Sequence, residues 1–231
     1  MVRLLVVDTE TGGIDPETHS ILSFAGVVWN DGEIEAELDL KVVEPLLAVT
    51  VQAMQINRIS LVDHAVGAVT PQEGAKKLAT FLRKHFGAEL KAGSKVALAG
   101  HNVGFDIGFL KRLCRLGGVS FNELFSHRSL DTSSILRFMG LAGRAPLQGA
   151  GLEEALQHFQ IVIPEPLRHT ALGDARGTAE LLNKLISLER VVDEQDKRPN
   201  TTARGASRPR AKPGAKKATA PATTIARRTR R

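Results

Sequence analysis

After Asp196 the chain offers almost nothing to bury. Residues 197–231 are mostly Ala, Thr, Pro, Arg and Lys, with Ile225 the one large apolar side chain and 12 Lys and Arg unaccompanied by any Asp or Glu. Such a segment cannot offset the entropy lost on ordering its backbone. The folded domain is therefore expected within residues 1–196, followed by a disordered basic tail at 197–231. The other 19 Lys and Arg stand against 25 Asp and Glu within residues 1–196, a net charge of −6, although the whole chain carries +6. An acidic body thus carries a basic extension, and with 42% hydrophobic residues overall the body can build one real core.

Several classes drop out early. No apolar run approaches the ~20 residues of a membrane span, and the N-terminus enters a strand without the phases of a secretory leader. No membrane partner is expected, and the cytoplasm is the expected location. The single cysteine, Cys114, cannot form an internal disulfide, and in FLKRLCRLGG it reads as a small core residue.

Residues 3–8 read as a strand, and ILSFAGVVW and EIEAELDLKVV, joined by Asn30-Asp31-Gly32, as a hairpin. Thr70, Pro71 and Glu73 open a helix with a capping box that a glycine ends. KVALAG is a further short strand; FDIGFLKRLCRLGG, LDTSSILRFMG, LEEALQHFQI and TALGDARGTAELLNKLISLERVV are helices by their apolar spacing. Three strands followed by alternating helices and strands predict an α/β domain, a mixed sheet flanked by helices.

The first strand ends in DTE. Side chains alternate along a strand, so Asp8 and Glu10 share one face with Thr9 opposite. Two like charges on one face suit either a solvated strand end or a site holding a divalent cation. Asp106 falls in the first turn of a helix, where the dipole alone would favour it. Asp174 falls near the start of the last helix with His169 before it, and Ala171, Ala175 and Ala179 permit that helix to pack closely on the sheet.

Taken together and in order, Asp8-x-Glu10, His101-Asn102-x-x-Phe105-Asp106 and His169-x-Ala171-Leu172-x-Asp174-Ala175 resemble the three motifs of the DEDDh superfamily of 3′-5′ exonucleases. That superfamily includes the proofreading subunit of DNA polymerase III and ribonuclease T, and has a ribonuclease H-like fold. The resemblance spans roughly residues 3–185. LDTSSILR, around Asp131, looks like the intermediate segment of the family.

The resemblance implies hydrolysis of the terminal phosphodiester at a nucleic-acid 3′ end, releasing nucleoside monophosphates, with DNA the favoured polymer. It implies two divalent ions, Mg2+ or Mn2+, whose oxygen-rich ligation suits carboxylates. Asp8 would bridge both, Glu10 and Asp174 would hold the ion that activates water, and Asp106 would serve the other. His169 would be the general base. It lies five residues before Asp174, about 140° away on a continuous helix, so it must reach in from the preceding loop. The sister subclass uses a tyrosine, and this chain has none.

Substrate contacts are expected from Thr11 and Gly12, with Gly13 beside them, and from His101 and Asn102. The turn after the strand and a brace at the strand end are the competing explanations for these residues. Near MQINRIS many relatives show a His-Gly pair where this chain has Asn57-Arg58. The basic tail is expected to contact phosphates without reading sequence. The rival readings are a proofreading subunit acting with a DNA polymerase, an enzyme trimming RNA 3′ ends, and a non-catalytic nucleic-acid-binding module.

Overall fold

A computed structural model describes residues 3–144 and 151–196. β1 (Arg3–Thr11) lies at the centre of a five-stranded sheet. It pairs antiparallel with β2 (Ile21–Asn30) and parallel with β4 (Val96–Gly100). β3 (Glu33–Lys41) continues the hairpin at one edge and β5 (Phe125–Asp131) closes the other, giving the order β3-β2-β1-β4-β5. The mixed sheet flanked by helices is the expected ribonuclease H-like arrangement.

The alternation of β1 divides the core. Leu5 and Val7 face a layer of bulky side chains, among them Phe24, Leu78, Leu82, Phe86, Phe109, Leu110 and Leu113. These come largely from α3 (Pro71–His85) and α5 (Gly104–Leu116). Each fully buried Leu or Phe of this kind contributes about 1.5–3 kcal/mol. Leu4 and Val6 face the opposite layer, where the long helix α9 (Ala171–Asp196) presents Ala171, Ala175 and Ala179 with Leu182. On the same side, Trp29 Nε1 donates to Asn183 Oδ1 at 2.7 Å, and Asn183 Nδ2 donates to the Gly32 carbonyl at 2.9 Å. A smaller cluster joins α7 (Thr132–Leu141) and α8 (Leu152–His158) to α9 through Leu136, Met139, Ala155, Leu181 and Leu185.

The capping box forms as read: Thr70 accepts from the Glu73 N–H and Glu73 accepts from the Thr70 N–H. Cys114 is buried, and its burial pushes the thiol up to about 12, the state of an inert core residue. Six elements lay outside the sequence reading: α1 (Val51–Asn57), α2 (Leu61–Ala65), α4 (Gly87–Lys91), α6 (Phe121–Leu124), β5 and a 3-10 turn at Glu165–Leu167. No helix among the described residues is long and apolar enough to cross a membrane. The tail at 197–231 lies outside the described residues.

Candidate active site

The period of β1 carries Asp8 and Glu10 onto the face of Leu4 and Val6, toward α9. A shift in pairing register between Glu10 and Thr11 then ends the regular ladder. Asp174 meets this pair from α9, and one carboxylate oxygen from each of Asp8, Glu10 and Asp174 lies within 4.8 Å of the others. The start of α9 is set locally. Thr170 Oγ1 accepts from the Gly173 N–H at 3.1 Å, and the Thr170 carbonyl accepts from the Asp174 N–H at 3.0 Å. Gly173 lets a 3-10 turn, Glu165–Leu167, press on the helix: an added Cβ would stand 1.8 Å from the Leu167 carbonyl oxygen. That turn delivers His169 from outside the helix, with φ of 57°, a left-handed conformation sparsely populated by residues other than glycine.

Asp106 comes from the other layer. It is buried in the first turn of α5, and Thr9, on the opposite face of β1 from Asp8, donates to its Oδ1 at 2.8 Å. Asp106 therefore stands near the other three without belonging to the group whose oxygens cluster within 4.8 Å.

The electrostatics follow from burial and crowding. Desolvation, then the charges of Asp106, Asp174 and Glu10, hold the Asp8 carboxyl well above the usual carboxylate range. Desolvation, then the charges of Asp174 and Asp106, push Glu10 up to about 8. Burial raises Asp106 to about 7, against the opposing hydrogen bond from Thr9. Burial raises Asp174 as well, opposed by the neighbouring His169 and reinforced by Glu153. Four carboxyls that resist ionisation together make a site that a divalent cation relieves.

Asn102 adopts φ of 62°, and its N–H donates to Asp131 Oδ1 at 2.7 Å. Asp131 also caps α7, accepting from the Ser133 N–H at 3.1 Å and the Ser134 hydroxyl at 2.7 Å. His101 Nδ1 lies 3.0 Å from Thr132 Oγ1, which donates to the Gly100 carbonyl at 3.1 Å. These bonds brace the end of β4 against β5.

Two clefts flank the carboxylates. One, of about 470 Å3, adjoins Glu10 and is lined by Thr11, Gly13, Ile14, His19, Asn57 and Phe105, among others. Its wall is a turn with little freedom. Thr11 Oγ1 donates to the Gly13 carbonyl at 2.7 Å, and Asn57 Nδ2 donates to the Thr11 carbonyl at 3.0 Å. Gly12 allows the chain at 48 to approach, since a Cβ there would meet the Ala48 carbonyl oxygen at 2.3 Å. Arg58, following Asn57, takes φ of 55° at the end of α1, a conformation a glycine adopts freely. The second cleft, about 350 Å3, lies on the other side, where His169 and Asp174 are joined by Glu153, Leu156 and Ile163.

A family profile described as an exonuclease matches residues 5–182. The chain belongs to this exonuclease family, in its DEDDh 3′-5′ branch. The exonuclease is 24% identical to ribonuclease T of Wigglesworthia glossinidia brevipalpis over 189 residues, 79% of this chain and 84% of the relative. It is 25% identical to ribonuclease T of Escherichia coli strain K12 over the same shares. A PolC-type DNA polymerase III of Latilactobacillus sakei subsp. sakei strain 23K is 29% identical over 187 residues, 78% of this chain and 11% of the polymerase. Among solved structures, E. coli Exonuclease I in complex with a dT13 oligonucleotide superposes with a TM-score of 0.67 at 14% identity. The match covers 84% of the exonuclease but 43% of the Exonuclease I chain, so it speaks for the fold.

The structure thus brings Asp8, Glu10 and Asp174 together, sets Asp106 beside them through Thr9, and places His169 in the preceding loop at the same cleft. Sequence reasoning gave no site role to Thr9, Phe105 or Glu153. Thr9 had a readable sign, since alternation aims it at the layer from which Asp106 comes. Glu153 had none, because its approach to Asp174 depends on how α8 packs.

Proposed function

We propose that this exonuclease releases nucleoside monophosphates from the 3′ ends of DNA, with two divalent metal ions and with His169 as general base. The observation that carries the reading is the meeting of Asp8, Glu10 and Asp174 at the end of β1, between His169 and a cleft of nucleotide size. The donor set fits hard divalent cations, being all carboxylate oxygen. Asp8, Glu10 and Asp174 would hold one ion and Asp8 with Asp106 the other, Mg2+ or Mn2+. When bound, such ions neutralise the scissile phosphate and the charge developing on the leaving oxygen.

The chain's own residues supply the rest. His169, exposed at the cleft, takes the proton of the attacking water as the water oxygen bonds to phosphorus. The bond from phosphorus to the 3′ oxygen of the penultimate nucleotide breaks, and that oxygen takes a proton from solvent water, leaving a new 3′ hydroxyl and a free 5′ monophosphate. The cleft beside Glu10 receives the terminal nucleoside between Phe105 and the Thr11–Gly13 turn, with Ile14, 85% exposed, as an apolar contact for a base. His101 and Asn102 assist by fixing the strand end. The basic tail adds phosphate affinity that falls with salt.

A second reading, trimming of RNA 3′ ends, is favoured by the two ribonuclease T relatives, whose length this chain nearly spans. The deciding experiment measures mononucleotide release from matched single-stranded DNA, duplex DNA and RNA, with Mg2+ or Mn2+. An Asp8→Ala control is expected to lower the rate by roughly 10²-fold or more, as loss of one group that stabilises developing charge does. A preference for RNA would select the second reading. Absence of release from every polymer by a folded, metal-loaded protein would leave a binding module.

A further inference from the structure

Six residues beyond Asp106 on α5, Arg112 packs against the loop between β1 and β2 with 11% of its side chain exposed. Its Nε and Nη2 donate to the two carboxylate oxygens of Glu44 at 2.9 and 2.6 Å. Its Nη1 donates to two backbone carbonyls, Pro16 at 2.9 Å and Glu17 at 3.0 Å. Glu44, 4% exposed, also accepts from the Ile21 N–H at 3.0 Å, at the first residue of β2. One half-buried guanidinium on a buried carboxylate therefore ties together α5, the segment after β3 and the connection between β1 and β2.

That connection, residues 12–20, contributes Gly13, Ile14 and His19 to the cleft beside Glu10, which Phe105 of α5 also lines. Pro16 sits over Gly108, where an added Cβ would stand 3.0 Å from its Cγ. Phe105, Gly108 and Arg112 follow one another at helical spacing, so one face of α5 both lines the cleft and grips the loop. The loop's other bonds to α5 are weaker in kind: Arg115 meets Glu17 at 3.0 Å, but both side chains are exposed. A buried ion pair is poor value as a stability device, because apolar replacements often match it. It does fix positions, since the planar fork accepts only one arrangement of carboxylate and carbonyls.

The geometry points to Arg112 and Glu44 as a positioning pair that sets the width of the cleft for the terminal nucleoside. The inference rests on the nuclease reading above for its substrate. None of the clustered carboxylates lies on the gripped loop, so the pair acts on substrate binding more than on the chemical step.

Arg112→Lys keeps a positive charge beside Glu44 but loses the fork, whereas Glu44→Gln keeps the acceptor for Ile21 and the grip of Arg112 on the carbonyls. Two measurements test the pair in the full-length chain. In Arg112→Lys, KM for a 3′ oligonucleotide is expected to rise about tenfold, the equivalent of losing roughly 1.4 kcal/mol of binding, with kcat changed far less. Glu44→Gln should raise it only about threefold, because the carbonyl bonds remain. Independently of turnover, hydrogen exchange at residues 12–20 of Arg112→Lys should quicken relative to α9 in the same molecule. A folded Arg112→Lys with wild-type KM and wild-type exchange in the loop, but a lowered Tm, would overturn the inference and leave the pair merely structural. Failure of the wild type to release nucleotides would sink the nuclease reading instead, and the exchange comparison would still decide whether Arg112 orders the loop.

Discussion

The two helices that bring aspartates to β1 reach the sheet by different means. α9 meets it through Ala171, Ala175 and Ala179, whereas α5 meets it through Phe109, Leu110 and Leu113. Alanine lets a helix backbone approach closely, and the aspartate on α9 joins Asp8 and Glu10 within 4.8 Å. The aspartate on α5 stays outside that group and is held through the Thr9 hydroxyl. The face of β1 that carries Asp8 and Glu10 thus decides which carboxylate enters the cluster directly, and the small side chains of α9 let its aspartate come close on that face, while Asp106 is attached from the other face through Thr9.

The comparison can be broken most severely on the alanine side. Ala175→Leu should destabilise the fold by about 1–3 kcal/mol, and by pushing α9 outward should lower metal-dependent activity by roughly 10²-fold, the scale of a 1 Å misplacement. Leu110→Ala, on the bulky side, should lower stability by about 2–5 kcal/mol yet leave the metal requirement of the folded fraction nearly intact. Chemical denaturation paired with metal titration of activity measures both; equal metal defects would show that helix approach is not what separates the two aspartates.

Gly173→Ala tests the same helix at its first turn. The clash with the Leu167 carbonyl should displace the His169 loop and reduce kcat by about 10²-fold, while binding of Mn2+ to the carboxylates, followed by calorimetry, changes little.

Thr9→Val removes the intermediary on the α5 side. Activity should fall about tenfold, in keeping with a hydrogen bond to a charged group of about 1.5–3 kcal/mol. Steady-state rates against metal concentration report it, and an unchanged rate would mean that Asp106 needs no such tether.

A further effect is expected on stability against pH in chelator. Glu10, at about 8, and Asp106, at about 7, sit above their unfolded values. The folded state therefore binds their protons more tightly, and this stabilisation is present at low pH and lost as pH rises from the usual carboxylate range to about 8. Without metal, Tm should decline over that window, and the increment from added Mn2+ should grow. A Tm in chelator that climbs toward pH 8 would contradict the burial described for these carboxyls.

Local periodicity made much of this legible in advance. Alternation in LLVVDTE put Asp8 and Glu10 on one face, the capping box at Thr70 and Glu73 opened its helix, and the five-residue gap from His169 to Asp174 put His169 in the loop before α9. β5 escaped because FSHRSLD is an edge strand with exposed Ser, His and Arg and no clean alternation. α1 buries no side chain, so its seven residues show no apolar stripe. Arg112 and Glu44 are 68 positions apart, and no local signal predicts a partner at that distance.

The bond between Trp29 and Asn183 has a practical consequence. The chain contains one tryptophan and no tyrosine, so ultraviolet emission comes from a single indole, 4% exposed and anchored to α9. The molecule carries a built-in optical probe of the seam between the sheet and the helix that bears Asp174. A stopped-flow trace of that one fluorophore, on mixing with metal or oligonucleotide, would time any shift of α9 without a label.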